Sequence, residues 1–547
     1  MNDEVGATTS ENLQPNLPMS NKRRWAVTAG VMTGMFIAAL EATVVGTAMP
    51  TVIASLGGLS HYSWVFSAYL VTSTVTVPVW GKLSDLYGRR LLYQIGIGVF
   101  LLGTLLSGFS ASMTQLIVFR AIQGLGAGAL VPLGMTIIGD TFTLEERAKM
   151  QAYFSGVWGL SSIIGPIVGG FITDQISWRW VFFVNLPIGV VAALIIGFAL
   201  REPKQHTKPT IDYAGAILLM TAISLLMLAM VEGGSGGLIT SQNLMIFAAS
   251  AVLLVIFFVV EKRAKDPIIP FDLFRNKTIA IAIPAGFLGG VAMFGAISFI
   301  PLFAQGSLGF SATAAGSLLT PLMLSWVSMS IVGGRLMLRV GYRAITIVGY
   351  SALTLGFIFL ALFDRNTNVF WLYVDLVTIG IGLGLSMLTL LIAVQQAVEK
   401  SKLGVATSLN QFSRSIGGAI GVAVMGAILT ASLATQLSKA AEESGVMTRA
   451  QAQEFASNPN ALIEPGAKSS ISPETLAVLQ SALARAIHPV FWSGAVMAGL
   501  GLLVVLFLPK EKRREEDELP VDGERLIMAE QTTINARNQP DVHTTYS

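Results

Sequence analysis

Apolar residues fill this 547-residue chain in long runs separated by short polar breaks, and few stretches show the one-sided spacing of a surface helix. A hydrocarbon core about 30 Å thick is crossed by about 20 apolar residues in helix. That ruler predicts fourteen spans. They lie near 25–50, 62–81, 91–110, 115–138, 151–173, 179–200, 213–231, 243–261, 278–305, 312–338, 344–363, 370–396, 404–432 and 488–509. The first run is too long for a cleaved leader and contains Glu41, so it is expected to remain in the protein.

The polar breaks alternate in charge. Lys22-Arg23-Arg24, Lys82 with Arg89-Arg90, Arg147 with Lys149, Arg201, Lys262, Arg275, Arg339 with Arg343, Lys400 with Lys402, and Lys510 to Arg514 fall on one side. The opposite links 51–61, 111–114 and 306–311 carry no Lys or Arg. Positive residues mark the cytoplasmic side, so an even number of spans is expected to leave both chain ends in the cytoplasm. Arg179 and Arg365 are exceptions.

Composition narrows the function. Charged residues make up 12% of the chain and hydrophobic ones 53%, against about a quarter charged in a soluble domain, which excludes an ordinary soluble enzyme. The balance of 35 Lys+Arg against 32 Asp+Glu is too even for a nucleic-acid binder. Cysteine is absent, and the four histidines (His61, His206, His488, His543) are scattered, so no metal site is expected. No G-x4-G-K-[ST] run occurs, and no Ser/His/Asp set suggests an enzyme. An ion gradient is then the remaining energy source, with no cofactor, each charge gaining about 2.3 kcal/mol across 100 mV.

An internal repeat organises the spans. Gly81-Lys82-Leu83-Ser84-Asp85-Leu86-Tyr87-Gly88-Arg89-Arg90 is matched in register by Gly334-Arg335-Leu336-Met337-Leu338-Arg339-Val340-Gly341-Tyr342-Arg343, with Leu338 where Asp85 stands. Removing the pair of spans at 213–261 leaves six before and six after, a transporter architecture with its path between halves. The predicted division is a polar segment 1–24, a first six-helix bundle 25–200, an inserted helix pair 201–277, a second bundle 278–509 and a polar tail 510–547. Both polar ends are expected to be disordered. A long outer loop is predicted at 432–487, with helix-like pieces at Arg449–Ala456 and Pro473–Ala486.

Four sequences carry a family resemblance. They are the Gly81–Arg90 turn, Arg120-Ala121-Ile122-Gln123-Gly124-Leu125-Gly126-Ala127-Gly128, Gly165-Pro166-Ile167-Val168-Gly169-Gly170 with Trp178-Arg179-Trp180 and Asn185-Leu186-Pro187, and Leu40-Glu41-Ala42-Thr43-Val44-Val45. In that order, over residues 25–510, the chain resembles the major facilitator superfamily and, within it, the fourteen-span drug/proton antiporters of the EmrB/QacA type. The resemblance implies an all-α integral membrane protein that exports lipophilic, cationic compounds in exchange for protons. It implies a multi-pass protein of the bacterial cytoplasmic membrane, working as a monomer among lipids, with a periplasmic adaptor or lipoprotein as an open question. Two departures stand out: Glu41 replaces the family's usual Asp, and Gly46 a common Asn. Rival readings are export of an endogenous lipid or metabolite, and a transport-inactive sensor or scaffold on the same fold.

Individual residues then take expected roles. An ionised Glu41 deep in a span costs about 2.5–3.5 kcal/mol, so it must be paired, wetted or protonated, and it is the candidate proton carrier. Arg120, with Gln123 one turn on, needs an acid or several carbonyls; the resemblance implies a part in proton transfer with Glu41 as its partner, the alternative being a purely structural ion pair. Asp375, beside Trp371 and Tyr373, either attracts cationic substrates at an outer vestibule or simply reaches outer water. Gln123, Asn410 and Arg414 complete, with Asp375, the expected substrate path. The resemblance implies an inner gate in which Asp85, with Gly81, Gly88, Arg89 and Arg90, docks on the start of the thirteenth span, where the helix terminus is partly positive. Gly165-Pro166, with Gly169 and Gly170, is the expected hinge of the fifth span. The Gly124-x3-Gly128, Gly380-x3-Gly384 and Gly417-x3-Gly421 runs are expected to pack helices rather than bind phosphate.

Overall fold

The computed structural model describes residues 19–56, 62–202, 212–236, 240–310, 314–315, 318–365, 367–444, 446–448, 451–453, 455 and 472–510. The two polar ends, His61, His206, His543 and most of 449–471 lie outside them.

Every described element is helical. They are α1 (Asn21–Leu56), α2 (Tyr62–Val75), α3 (Val77–Tyr87), α4 (Arg89–Gly108), α5 (Met113–Thr141), α6 (Leu144–Gln175), α7 (Trp180–Phe183) and α8 (Asn185–Ala199). Then follow α9 (Tyr213–Gly236), α10 (Ser241–Glu261), a 3-10 turn (Phe271–Arg275), α11 (Lys277–Gly306), α12 (Leu319–Val340) and α13 (Tyr342–Leu362). The last are α14 (Val369–Gln396), a 3-10 turn (Lys400–Lys402), α15 (Leu403–Ser444) and α16 (Pro473–Val505). Among the described residues twelve helices are long and apolar enough to cross a membrane, and α2 is a shorter apolar helix.

Two of the predicted spans are interrupted, each beside a proline. Pro78 lacks an amide hydrogen, and the helix breaks just before it, at Thr76, into α2 and α3. Pro187 follows the α7–α8 junction at Val184. The expected hinge run behaves differently. α6 is continuous through Gly165-Pro166, with Gly165 and Gly169 buried and Gly170 half-buried, while the Pro166 side chain lies outside the described ones.

Other differences lie at helix ends. Capping rather than hydropathy sets these, so α15 runs to Ser444 and α16 starts at Pro473, behind Ser472, whose hydroxyl accepts from Thr475 N. Much of the predicted outer loop at 432–487 is therefore helix, including all of the Pro473–Ala486 piece. The two exceptional arginines satisfy carbonyls: Arg179 Nη2 donates to Ser110 O at 2.9 Å and Arg365 Nη1 to Ala477 O at 3.1 Å.

The repeat is reproduced in three dimensions. Gly88 (φ +93°) and Gly341 (φ +83°) occupy the same place in the α3–α4 and α12–α13 turns, in a conformation side chains resist. Their amides close the preceding helix, on Ser84 O at 3.1 Å and Met337 O at 2.8 Å. A second correspondence comes from the glycine runs. Gly124 and Gly128 face α2 while Gly126 faces α4; Gly380 and Gly384 face α12 while Gly382 faces α13. Each run lets the fourth helix of its repeat lie tight between two neighbours, which is packing work. A Cβ on Gly126 would stand 2.5 Å from Gly96 O, and one on Gly382 2.8 Å from Gly349 O. Gly126→Val and Gly382→Val are each expected to destabilise the protein by about 2 kcal/mol, read as a lower melting temperature in detergent.

Candidate functional site

Glu41 is fully buried midway along α1, and helices α2, α4, α5 and α8 supply its surroundings. Its Oε1 accepts from Arg120 Nη1 at 2.5 Å, and its Oε2 from Asn185 Nδ2 of α8 at 2.6 Å. Arg120, 1% exposed, also donates from Nη1 to Gln123 Oε1 at 2.6 Å and from Nε to Val65 O of α2 at 3.2 Å. Tyr69 of α2 lays its ring 4.2 Å from the guanidinium carbon. Gln123 passes the network to α4, donating to Thr104 Oγ1 at 2.8 Å, and Thr104 donates to Phe100 O at 2.8 Å.

A buried ion pair holds only when its remaining hydrogen-bonding positions are met, and here nearly all are. One is not: Asn185 Oδ1 is buried without a partner. The expected pairing of Glu41 with Arg120 is therefore present; Gln123, expected on the substrate path, instead joins this buried network, with Asn185, Tyr69 and Thr104 as further members.

The second cluster forms at the Gly81–Arg90 turn. Asp85 Oδ1 accepts from Gly404 N at 3.0 Å and Oδ2 from Val405 N at 2.8 Å, at the first residues of α15. The free amides and partial positive charge of a helix start receive a carboxylate well. Arg89 Nη2 stands 2.5 Å from Asp85 Oδ1, its Nε bonds Asp140 Oδ2 at 3.1 Å, and its Nη1 bonds Ser84 O at 2.6 Å. Glu202 accepts from the amides of Arg89 and Arg90 at 2.8 and 3.1 Å, leaving the Arg90 side chain exposed. Gly81 is needed for the approach, since a Cβ there would stand 2.9 Å from Gly404 O. In the matching turn Leu338 is 43% exposed and offers no carboxylate for an equivalent contact.

Asp375 is not at a vestibule. It lies on α14, 2% exposed and turned toward α13, its Oδ1 3.4 Å from where a Cβ on Gly356 would lie. Neither of its oxygens has a partner, and Leu353, Phe357, Leu372, Leu376 and Ile379 belong to the apolar cluster there. The expected roles, drawing in cations or reaching outer water, both need an accessible carboxylate, which this burial denies. Asn410, 4% exposed, turns to α11: its Nδ2 lies 3.4 Å from a Cβ built on Gly286. Arg414 is half-buried and donates from Nη2 to Gln411 Oε1.

The model of the Major Facilitator Superfamily matches residues 31–422. The chain belongs to that superfamily. It is 38% identical over 516 residues to the multidrug transporter protein MdtP of Bacillus subtilis, covering 91% of this chain and 95% of that protein. It is 36% identical over 494 residues to multidrug resistance protein 3 of the same organism, covering 90% and 96%. Among solved structures, the human organic anion transporter MFSD10 aligns with a TM-score of 0.59 at 16% identity, covering 90% of this chain and all of that one. The proton:xylose symporter XylE aligns with a TM-score of 0.56 at 12% identity. These two establish the helical fold alone. The protein is a multi-pass membrane transporter of this superfamily, not an enzyme, and it is similar to multidrug efflux proteins.

The superfamily turn has a pH signature. Burial pushes the Asp85 carboxyl up to about 6, while Arg89 and the two amides of α15 pull the other way and the like charge of Asp140 adds to the rise. Released into water, the carboxyl returns to its ordinary 3.8. The docked form binds the proton more tightly, so docking is favoured as pH at that end falls through about 6 and loses that contribution above it. Distances between spin labels across the α3–α15 contact, placed in a chain with no native cysteine, are expected to show the latched fraction rising between pH 7 and 5. Asp85→Ala, which loses both amide bonds, is expected to cut that fraction by about tenfold or more and to flatten the pH response.

Proposed function

We propose that the protein is a proton-coupled exporter of lipophilic compounds that works by alternating access, of the fourteen-span drug/proton antiporter type. The observation that carries this reading is the fully buried Glu41–Arg120 pair at the meeting of α1, α5 and α8. A proton delivered to Glu41 removes the charge that holds Arg120, so the pair is an element that binding of one proton rearranges. Relatives named as multidrug proteins, at 36–38% identity, support lipophilic drugs as the cargo.

The proposed topology has two six-helix bundles, 25–200 and 278–509, with the α9–α10 pair inserted between them, and both chain ends on the cytoplasmic side of a bacterial cytoplasmic membrane. α2 with α3, α6, and α7 with α8 then each count as one crossing, giving fourteen. The path runs between the bundles, and the Asp85–α15 contact closes it on the cytoplasmic side, so this conformation faces outward. A monomer surrounded by lipid suffices for the cycle, and no nucleic acid takes part. Any periplasmic adaptor or lipoprotein would dock at the outer ends of α15 and α16.

Energised cells that overproduce the protein are expected to accumulate less of a lipophilic dye than control cells. A protonophore is expected to erase the difference. Unchanged accumulation across a panel of dyes, with the protein present in the membrane, contradicts the reading.

A further inference from the structure

We infer that the transport path carries an anion-binding position at Arg414, and that the preferred cargo is an amphiphile with one negative charge. This deepens the export reading above and rests on it.

The direction of Arg414 follows from the contacts of α15. One face meets α11: Asn410 beside Gly286, Ser413 Oγ donating to Ile283 O at 2.7 Å, and Gly417 against Phe287. Another face, near the helix start, meets α3, where Gly404 and Ser408 pack on Gly81. At about 100° per residue, Leu403, Thr407, Gln411, Arg414 and Gly418 fall in the sector between those faces. The lower end of this stripe is sealed. Leu403 meets Gly139 of α5, and Thr407 Oγ1 accepts from Gln395 Nε2 of α14 at 3.3 Å. Gly418 lies against the Phe294 ring of α11. Arg414 stands about 10 Å above Thr407 along the helix, between that seal and the aromatic ring. It is only half-buried there, as a side chain facing an internal space would be.

Charge accounting gives the sign. Away from the helix ends, five charged residues are described within the spans: Glu41, Arg120, Asp375, Arg414 and Arg485, the last of them exposed on α16. Glu41 and Arg120 neutralise each other. Asp375 is 2% exposed among residues of an apolar cluster. Arg414, unlike the exposed Arg485, is half-buried, and it has no acid within ion-pair distance among the described residues; its side-chain partner there is the amide oxygen of Gln411. A guanidinium has five donors, so most of them await an acceptor. A carboxylate, sulfonate or phosphate supplies both the acceptors and the missing charge, and Phe294 offers a surface for its apolar part. A cationic cargo would instead meet an uncompensated like charge.

With one proton entering per cycle, export of a monovalent cation moves no net charge, whereas export of a monovalent anion moves two. Purified protein in proteoliposomes, given either a potassium diffusion potential or a pH difference alone, separates the cases. The probes are anilinonaphthalene sulfonate and ethidium, with a short-chain fluorescent phosphatidylglycerol to distinguish a lipid headgroup from a free amphiphile. The expected result is movement of the sulfonate, the phosphatidylglycerol or both, driven by the potential. Arg414→Gln should lower it by about tenfold or more, and Arg414→Lys should retain part of it. Arg414→Lys also controls for a glutamine variant that fails to reconstitute. Ethidium moved by the pH difference alone, and unchanged in Arg414→Gln, would overturn the anion assignment while leaving export intact. No probe moved under either verified gradient would sink the export reading, and the assignment with it.

Discussion

Glu41→Gln is expected to end proton-driven export, lowering the rate by about a hundredfold or more, while the protein stays folded in the membrane. The expectation rests on the geometry around the carboxyl. A glutamine keeps the size, and its amide oxygen still accepts from Arg120 Nη1 in place of Glu41 Oε1. Its NH2 would meet the Asn185 Nδ2 that now donates to Glu41. That clash is avoidable, because Asn185 Oδ1 is buried and unpartnered, so a flip of the Asn185 amide presents an acceptor. The substitution therefore removes the charge and the titration with few hydrogen bonds lost. Membrane expression, melting temperature and dye export measured together check it. Loss of export with an unchanged melting temperature is the expected pair of results.

Glu41→Leu should behave otherwise, with the largest loss of stability of any single change here. Arg120 would remain 1% exposed without a counter-charge, and arginine does not give up its proton. Breaking a buried pair on one side typically costs about 3–5 kcal/mol. Arg120→Leu should cost less, because a lone carboxyl can take up a proton and become neutral, and Asn185 still bonds it. The double variant Glu41→Leu/Arg120→Leu should recover most of the stability, since an apolar pair of similar volume carries no desolvation penalty. None of the three should export. Detergent melting curves of the four proteins form the cycle that isolates the pair, and simple additivity would show that the two side chains do not act together.

How much of this was legible in the sequence depended on the kind of signal. Residues that violate their surroundings could be read. Glu41 and Arg120 are charges in apolar runs, each needing compensation, and the family resemblance pointed to their pairing. The Gly81–Arg90 turn and its Gly334–Arg343 counterpart predicted two equivalent turns, and Gly88 and Gly341 do share one backbone conformation. The family resemblance, rather than the pattern itself, placed Asp85 at the start of the thirteenth span, where it bonds Gly404 N and Val405 N.

What could not be read was the rotation of each helix about its axis. In spans that are apolar nearly all round, core-facing and lipid-facing positions look alike, because lipid tails are as apolar as leucine. Hence Asp375 was expected near water and lies against Gly356, and Asn410 was expected on the path and turns to α11. Asn185 did carry a signal, a lone amide in an apolar run before Leu186-Pro187, but nothing in the sequence tied it to Glu41. Tyr69 and Thr104 gave none. Helix ends were missed for a related reason: hydropathy marks where hydrocarbon ends, whereas α15 and α16 continue well past it, to Ser444 and from Pro473.

The central claim is that Glu41 carries the proton that drives export. It is tested most directly by substrate-induced proton movement in proteoliposomes with a pH-sensitive dye inside and no other gradient. Imposing a gradient of a transported amphiphile on the wild type should drive protons in the opposite direction. In Glu41→Gln the proton signal should vanish, while exchange of labelled for unlabelled amphiphile, which needs no net proton transfer, persists. Proton counterflow of wild-type size in Glu41→Gln would contradict the account and place the coupling elsewhere in the protein.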